Sequence, residues 1–304
     1  MRYVIIGKSK ASAVTYDNIY LCGEFTGRFK VINKSTKAEV SGYPTIDSTV
    51  YGTAEDNDNI YLGGAFASRF KVIKKSDKSE VSGYPEISSA ARTICEDDDN
   101  IYIGGDFTNY FKVIKKSDKS EITGYPTISS AIYAVAEDND NIYLGGSFTN
   151  KFKVIKKSDK SEITGYPTID NTIRTISEDN DNIYLGGNFT NYFKVIKKAD
   201  KTEVSGYPTI SSTVRTISED NDNIYLGGDF TGRFKVINKS TKAEVSGYPA
   251  INNTVYVVAE DNDNIYLGGL FTNKFKVIKK TDKSEITGYP TIDNTVLFIS
   301  VGRI

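Results

Sequence analysis

The stretch that decides the fold begins Thr49-Val50-Tyr51-Gly52-Thr53-Ala54-Glu55-Asp56-Asn57-Asp58-Asn59-Ile60-Tyr61-Leu62-Gly63-Gly64 and runs on through Ala65-Phe66-Ala67-Ser68-Arg69-Phe70-Lys71-Val72-Ile73-Lys74-Lys75. It ends Ser76-Asp77-Lys78-Ser79-Glu80-Val81-Ser82-Gly83-Tyr84-Pro85. Four short runs rich in Val, Ile, Thr, Tyr and Phe are separated by clusters of Asn, Asp, Ser and Gly, and no helical spacing of apolar residues is present. The runs read as four strands, at 49–55, 59–64, 70–75 and 79–85, with loops of ordinary length between them.

The same unit recurs along the chain. The prolines stand at 44, 85, 126, 167, 208, 249 and 290, always 41 residues apart and always closing a Gly-Tyr-Pro triplet. The Gly-Gly pairs, from Gly63-Gly64 to Gly268-Gly269, keep the same interval, and Cys22-Gly23 fills the first slot. A four-stranded unit repeated seven times specifies an all-β, seven-bladed β-propeller with four antiparallel strands per blade. Seven units leave 17 of the 304 residues over, too few for a second domain, so 1–304 is expected to form a single propeller domain. Thr26 to Pro44 recurs unchanged at Thr231 to Pro249, which points to blade duplication.

The remainder bears on ring closure. Thr295 to Gly302 repeats the first strand of the unit, yet no second strand follows it, whereas Lys8 to Tyr16 matches that strand poorly. A ring must join its ends to remove unpaired edges. We therefore expect 295–301 to supply the innermost strand of the first blade, with Arg2 to Gly7 as the alternative. Pro85 and its equivalents fall on the outermost strand, where a missing N–H costs nothing. Fourteen of 15 Phe and 14 of 21 Tyr hold fixed repeat positions, such as Phe66, Phe70, Tyr61 and Tyr84, and are expected to pack between blades.

With its Asn59-Ile60-Tyr61-Leu62-Gly63-Gly64 strand, the chain resembles kelch-type propellers, which carry an aromatic-apolar-Gly-Gly end on the second strand of each blade. It is also similar to bacterial propeller repeats of the form Gly-Gly-x-Phe-Thr, here Gly104-Gly105-Asp106-Phe107-Thr108 and Gly227-Gly228-Asp229-Phe230-Thr231. It differs from kelch repeats in a shorter unit and in having no Trp. The resemblance spans nearly the whole chain and implies a binding platform.

Composition narrows the function. Lys and Arg total 38 against 39 Asp and Glu, a net charge of −1, which argues against nucleic-acid binding by bulk electrostatics. There is no His, the commonest general base and metal ligand. Two cysteines, Cys22 and Cys95, are too few for a disulfide framework and read as buried substitutes for small residues. No apolar run approaches a membrane span, and Tyr3 to Ile6 is too short for a signal sequence ahead of Ala11-Ser12-Ala13. The expectations are a cytoplasmic monomer that is not an enzyme, with no cofactor, no metal and no nucleic-acid or membrane partner.

In a propeller the loops before the first strand and after the second share one face, around the mouth of the axial channel. Early in the first strand the repeats vary as Tyr51, Arg92, Tyr133, Arg174, Arg215, Tyr256 and Leu297. After Gly-Gly they vary as Glu24, Ala65, Asp106, Ser147, Asn188, Asp229 and Leu270. A ring of Tyr and Arg amid Asp106, Asn188 and Asp229 can stack on and hydrogen-bond a ligand. We therefore take Tyr51, Arg92, Tyr133, Arg174, Arg215, Tyr256, Asp106, Asn188 and Asp229 as the candidate site. The opposite face carries acidic loops such as Glu55 to Asn59, whose oxygens suit calcium but whose spacing suits a hairpin turn. The Lys115 to Lys119 turns would offset that acid on a solvated, mixed-charge surface.

The function these features point to is a non-catalytic interaction scaffold binding a protein through the channel-mouth face. The alternatives are a multivalent lectin, for which the Phe-Thr-Asn loops at 109, 150, 191 and 273 would recur in each pocket, and a repeat protein without a selected ligand.

Overall fold

The computed structural model describes residues 17–302, and within them every regular element is a β-strand. The earlier stretches Arg2 to Gly7 and Lys8 to Tyr16 lie outside the described residues. Seven antiparallel sheets stand side by side. In the second blade, Val50–Glu55 is innermost, Asn59–Gly64 pairs with it, and Phe70–Lys74 pairs with Asn59–Gly64. The next five blades repeat this order, with inner strands Ala91–Glu96, Ile132–Glu137, Ile173–Glu178, Val214–Glu219 and Val255–Glu260. Each inner strand packs against the inner strands before and after it, and the last in sequence, Val296–Val301, packs against the second blade's. The ring is closed.

Closure comes from the C-terminus. Val296–Val301 pairs antiparallel with Asn18–Gly23, which in turn pairs with Phe29–Asn33, so the first blade combines both ends of the described chain. This removes the exposed edge that Asn18–Gly23 would otherwise present.

The fourth strand is far shorter than its sequence run of 79–85. It is two residues long in three blades, as at Glu121–Ile122, and a single bridge in four, as between Ile73 and Glu80. Gly83 at φ +91° turns the backbone away, and Pro85 has no N–H to continue the ladder.

The aromatics pack where expected. Tyr61, Phe70 and Val72 of the second blade share one buried cluster with Ile94, Ile101 and Phe107 of the third, so the core lies in the joints between sheets. Tyr184, Phe193 and Val195 pack in the same way against Val214, Ile224 and Phe230. Tyr84 stays half-buried, edge-on to Phe70 of its own blade at 5.5 Å.

The Gly-Gly pairs have two separate causes. A Cβ on Gly64 would collide with the carbonyl oxygen of Thr49, just before its own blade's inner strand. A Cβ on Gly63 would instead meet Ile94 Cδ1 of the next blade at 2.9 Å. The first slot of the pair is thus closed by a neighbour's side chain, and Cys22 occupies it, fully buried, in the first blade.

A lysine-to-carbonyl contact crosses every joint, and a second lysine bridges two carboxylates across five of them. Lys78 Nζ donates to the Ser41 carbonyl of the preceding blade at 2.5 Å and lies 5.4 Å above the Tyr43 ring. Lys37 repeats this across the closing joint, to the Thr287 carbonyl at 2.6 Å and over Tyr289. Deeper in the joint, Lys116 Nζ bridges Glu96 Oε2 of its own blade at 2.6 Å and Asp56 Oδ2 of the preceding blade at 2.9 Å. The same bridge forms at Lys157, Lys198, Lys239 and Lys280. These lysines are therefore only slightly exposed, 14% for Lys116, rather than solvated surface charges.

Candidate functional site at the channel mouth

The seven variable positions at the start of the inner strands share one local irregularity. Val50 pairs with Gly64 and Gly52 with Gly63, so Tyr51 is the extra residue of a β-bulge. Arg92, Tyr133, Arg174, Arg215 and Tyr256 occupy the same bulge in their blades, and Leu297 occupies it in the closing strand. A bulge leaves its extra residue out of the ladder and re-aims its side chain. Here it lets side chains of successive blades meet around the mouth.

Arg92 lies between two neighbours, its guanidinium 5.4 Å from the Tyr51 ring and 5.5 Å from the Tyr133 ring. Its Nε donates to Asp106 Oδ2 at 2.7 Å, and a second guanidinium nitrogen contacts the same oxygen. Arg215 repeats the arrangement with Asp229 at 2.8 Å and lies 4.9 Å from the Tyr256 ring. Burial opposes the charge on Asp229, but Arg215 and the Thr254 hydroxyl outweigh it and hold the carboxyl below its ordinary range. Arg174 donates to the neutral Asn188 side chain at 2.7 Å and is 2% exposed. Every one of the nine sequence-predicted site residues thus falls in one collar. The arginines are committed laterally and Arg174 is buried, so what the collar presents is a preformed surface of aromatic rings with the partly exposed Arg92 and Arg215 guanidinium groups. Leu297, 5% exposed, breaks the polar sequence on one side.

A further ring was not singled out in the sequence. Two residues after the Phe-Thr or Phe-Ala pair, and just before the third strand, stand Arg28, Arg69, Tyr110, Lys151, Tyr192, Arg233 and Lys274. All seven have φ between 57° and 62° and are half-buried. Arg233 donates to the Asp229 carbonyl at 2.5 Å and Lys274 to the Leu270 carbonyl at 3.0 Å, which places this ring directly around the first. The legible signal was chemical: the position before the second Phe is Arg, Lys or Tyr in all seven repeats.

The repeated Phe-Thr-Asn loops have a backbone explanation. Asn109, Asn150, Asn191 and Asn273 sit at φ 69–71°, where Asn is tolerated better than most residues. Thr149 N–H donates to Ser129 Oγ of the preceding loop at 3.1 Å.

On the opposite face the acidic loops are turns. Asp56 Oδ1 accepts the N–H groups of Asp58 and Asn59 at 3.0 and 2.8 Å, and Oδ2 accepts the Tyr61 hydroxyl. The loop does this without any residue at positive φ. Burial opposes the charge on Asp56, but Lys116 and Tyr61 lower its pKa overall. Glu96 is deeper, and burial raises its pKa to about 7 despite Lys116. One ammonium serves two carboxylates in each cluster, and at Glu96 and Glu137 burial favours the protonated form. Among the described residues no group of three or more His, Cys, Asp and Glu side chains converges on a metal position. Cys95 is fully buried, and burial pushes its thiol pKa well up.

No protein-family model matches the chain, and no curated protein matches it in sequence. Solved structures do. The computationally designed Ika8 protein superposes with a TM-score of 0.70 at 14% identity, covering 87% of this chain and 81% of its own. The WD40 β-propeller domain of Doa1 superposes with a TM-score of 0.66 at 12% identity, covering 85% of each chain. At these identities the likeness is one of fold. Among the described residues no helix is long and apolar enough to cross a membrane.

Proposed function

We propose that the chain is a non-catalytic binding platform that holds a peptide segment of a partner protein across the channel mouth. The observation that carries this reading is the Tyr51–Arg92–Tyr133 stack, built on bulges of three successive blades and fixed by Asp106. Tyr and Arg are the side chains most enriched where binding energy concentrates, and these are preorganised. The ring is also asymmetric, Tyr and Arg on most blades and Leu297 on one, which favours a single extended ligand over equal pockets in each blade. The Gly-Gly ends and Gly-Gly-x-Phe-Thr motifs support a place among kelch-like propellers, and a sequence without His, the commonest general base, supports a non-catalytic role. A protein or peptide partner needs neither cofactor nor nucleic acid.

The test is to pan a randomised displayed-peptide library against the purified chain, then re-measure enriched peptides on the double variant Tyr51→Ser, Tyr133→Ser. The reading expects enrichment and a loss of binding of about tenfold or more in the double variant. A variant on the opposite face, Asp58→Ser, should bind as the parent does. No enrichment, or binding indifferent to the mouth variant, overturns it. A glycan array run on the same material decides the lectin alternative.

A further inference from the structure

We propose that the segment held at the mouth is acidic, and that the outer ring of cations on strained turns is what selects it. The inference rests on the binding-platform reading above. In each blade the loop into the third strand closes on a three-residue turn. Phe29 N–H donates to the Gly27 carbonyl at 2.7 Å with Arg28 between them at φ +61°, and Phe152 donates to Asn150 at 2.6 Å with Lys151 at φ +57°. A γ-turn of this hand is rare and strained for any residue with a Cβ, and Gly would adopt it without penalty.

None of the seven central residues is Gly or Asn. The residue immediately before is Gly or Asn in six blades, so the chain places permissive residues beside the strained position and not in it. Five of the central residues are Arg28, Arg69, Lys151, Arg233 and Lys274. Tyr110 and Tyr192 hold the other two turns with the same backbone bonds, Tyr110 N–H to the Phe107 carbonyl at 2.9 Å and Phe111 N–H to Asn109 at 2.7 Å. The cation is therefore not what forms the turn. Strain retained in seven blades for long cationic or phenolic side chains is a signature of use at a surface.

The charge pattern names the ligand. Over the inner ring, the positions after Gly-Gly and the outer ring stand eight cations and three carboxylates, but Arg174 is buried and Arg92 and Arg215 are paired with Asp106 and Asp229, which leaves the five outer-ring cations and Glu24. Asp47, Asp170 and Asp293, on the adjoining loops, accept backbone N–H groups of Ala67, Thr190 and Thr26. Glu86 stands two positions earlier in its own loop. With these four the face holds eight cations against seven carboxylates, so the charge that would select a ligand is local to the outer ring, where five of seven positions are cationic and two are Tyr, on a chain of net charge −1. Carboxylates bind guanidinium groups with charge-assisted hydrogen bonds, and a local excess of one sign speeds capture of the other. A segment of Glu or Asp interleaved with aromatics matches both rings.

The experiment uses a fluorescein-labelled eight-residue peptide of alternating Glu and Tyr, the same peptide with Gln for Glu, and an eight-residue oligothymidylate. Anisotropy titrations are made on the parent and on the triple variant Arg28→Gly, Arg69→Gly, Arg233→Gly. We expect the Glu peptide to bind at least about tenfold tighter than the Gln peptide, more weakly as salt is raised. The triple variant should lose about tenfold of that affinity while its unfolding midpoint holds or rises. A Gln peptide bound as well as the Glu peptide and sensitive to Tyr51→Ser, Tyr133→Ser leaves the platform standing and overturns the acidic selection. Tighter binding of the oligothymidylate also overturns it, in favour of a phosphate backbone. If the triple variant binds normally and melts markedly lower, the cations are structural and the proposal falls. No binding by either peptide removes both readings.

Discussion

Lys116 of the third blade and Asp56 of the second, 60 residues apart in sequence, meet at 2.9 Å. The Asp56 carboxylate caps its own turn through one oxygen and accepts both Tyr61 and Lys116 through the other. One side chain therefore shapes a loop, satisfies a buried phenol and ties two blades together. Removing Lys116 leaves two partly buried carboxylates without their cation. We expect Lys116→Met to cost about 2–4 kcal/mol, read by urea unfolding. Lys34→Met should cost less, because Val301 stands where the other blades carry the inner-strand Glu: Lys34 bridges Asp261 at 3.1 Å, reaches Asp17 only at 4.0 Å, and otherwise donates to the neutral Gly302 carbonyl. Equal losses would show that the shared-cation account is wrong.

The same clusters set the pH dependence. Burial raises Glu96 and Glu137 to about 7, so each binds its proton more tightly folded than unfolded. Stability from these groups is full below about pH 4.5 and is lost as pH rises through about 7. Asp179 is lowered to about 2, its bonds with Lys239 and Tyr184 outweighing burial, so its contribution is full above about 3.8 and is lost as pH falls toward 2. The thermal midpoint should therefore peak between about pH 4 and 5. The double variant Glu96→Gln, Glu137→Gln should flatten the decline toward pH 7, and an unchanged slope would refute the assignment.

Closure by Val296–Val301 predicts the effect of its loss. A chain ending at Asn294 exposes the edge of Asn18–Gly23 and should melt lower and self-associate on size-exclusion chromatography. A synthetic peptide spanning Thr295 to Gly302 should restore the midpoint. A truncated chain that is as stable as the parent would place closure elsewhere.

The two glycines of a pair should respond unequally to alanine. At Gly64 the new Cβ would strike the Thr49 carbonyl, which is backbone and cannot yield, so Gly64→Ala should cost about 2–4 kcal/mol. At Gly63 the nearest obstacle is the tip of Ile94, which can rotate, with Ala91 Cβ and its carbonyl oxygen looser at 3.1 and 3.2 Å, so Gly63→Ala should cost less, about 1–2 kcal/mol. Denaturant melts of the two variants decide the order.

Around the channel, Thr216 Oγ1 accepts the Val258 N–H of the next blade's inner strand at 3.0 Å, and Thr175 does the same for Ile217 at 3.2 Å. Thr216→Val keeps the shape and deletes the acceptor, for an expected loss of about 1 kcal/mol. No measurable change would mean that water serves this N–H equally well.

Much of the architecture was legible because a repeat states its strand pattern seven times. Strand positions, the Gly-Gly ends and the closing segment could be read from periodicity and from the surplus at the C-terminus. The fourth strand was over-read: Val81 and Tyr84 suggested a full strand, but Gly83 and Pro85 limit its pairing to one or two residues. The variable mouth positions were legible as a list, though not as bulges. The Arg28 ring was overlooked because the strain that marks it is a dihedral angle, and composition alone makes those residues ordinary surface charges.

The sequence by itself determined that the chain is β throughout and that it comes in seven units, since these follow from local alternation and from counting; it favoured the C-terminal segment over Arg2 to Gly7 for the closing strand, and the pairing of Val296–Val301 with Asn18–Gly23 decided it. Only the tertiary structure decided the pairings: Lys116 with Asp56, Lys78 with the Ser41 carbonyl, Arg92 between Tyr51 and Tyr133. Each joins residues about one repeat or more apart, or turns on a bulge that re-aims a side chain. In a chain whose units are nearly alike, several partners satisfy the same local chemistry, and the geometry of the closed ring selects the one that lies across the joint.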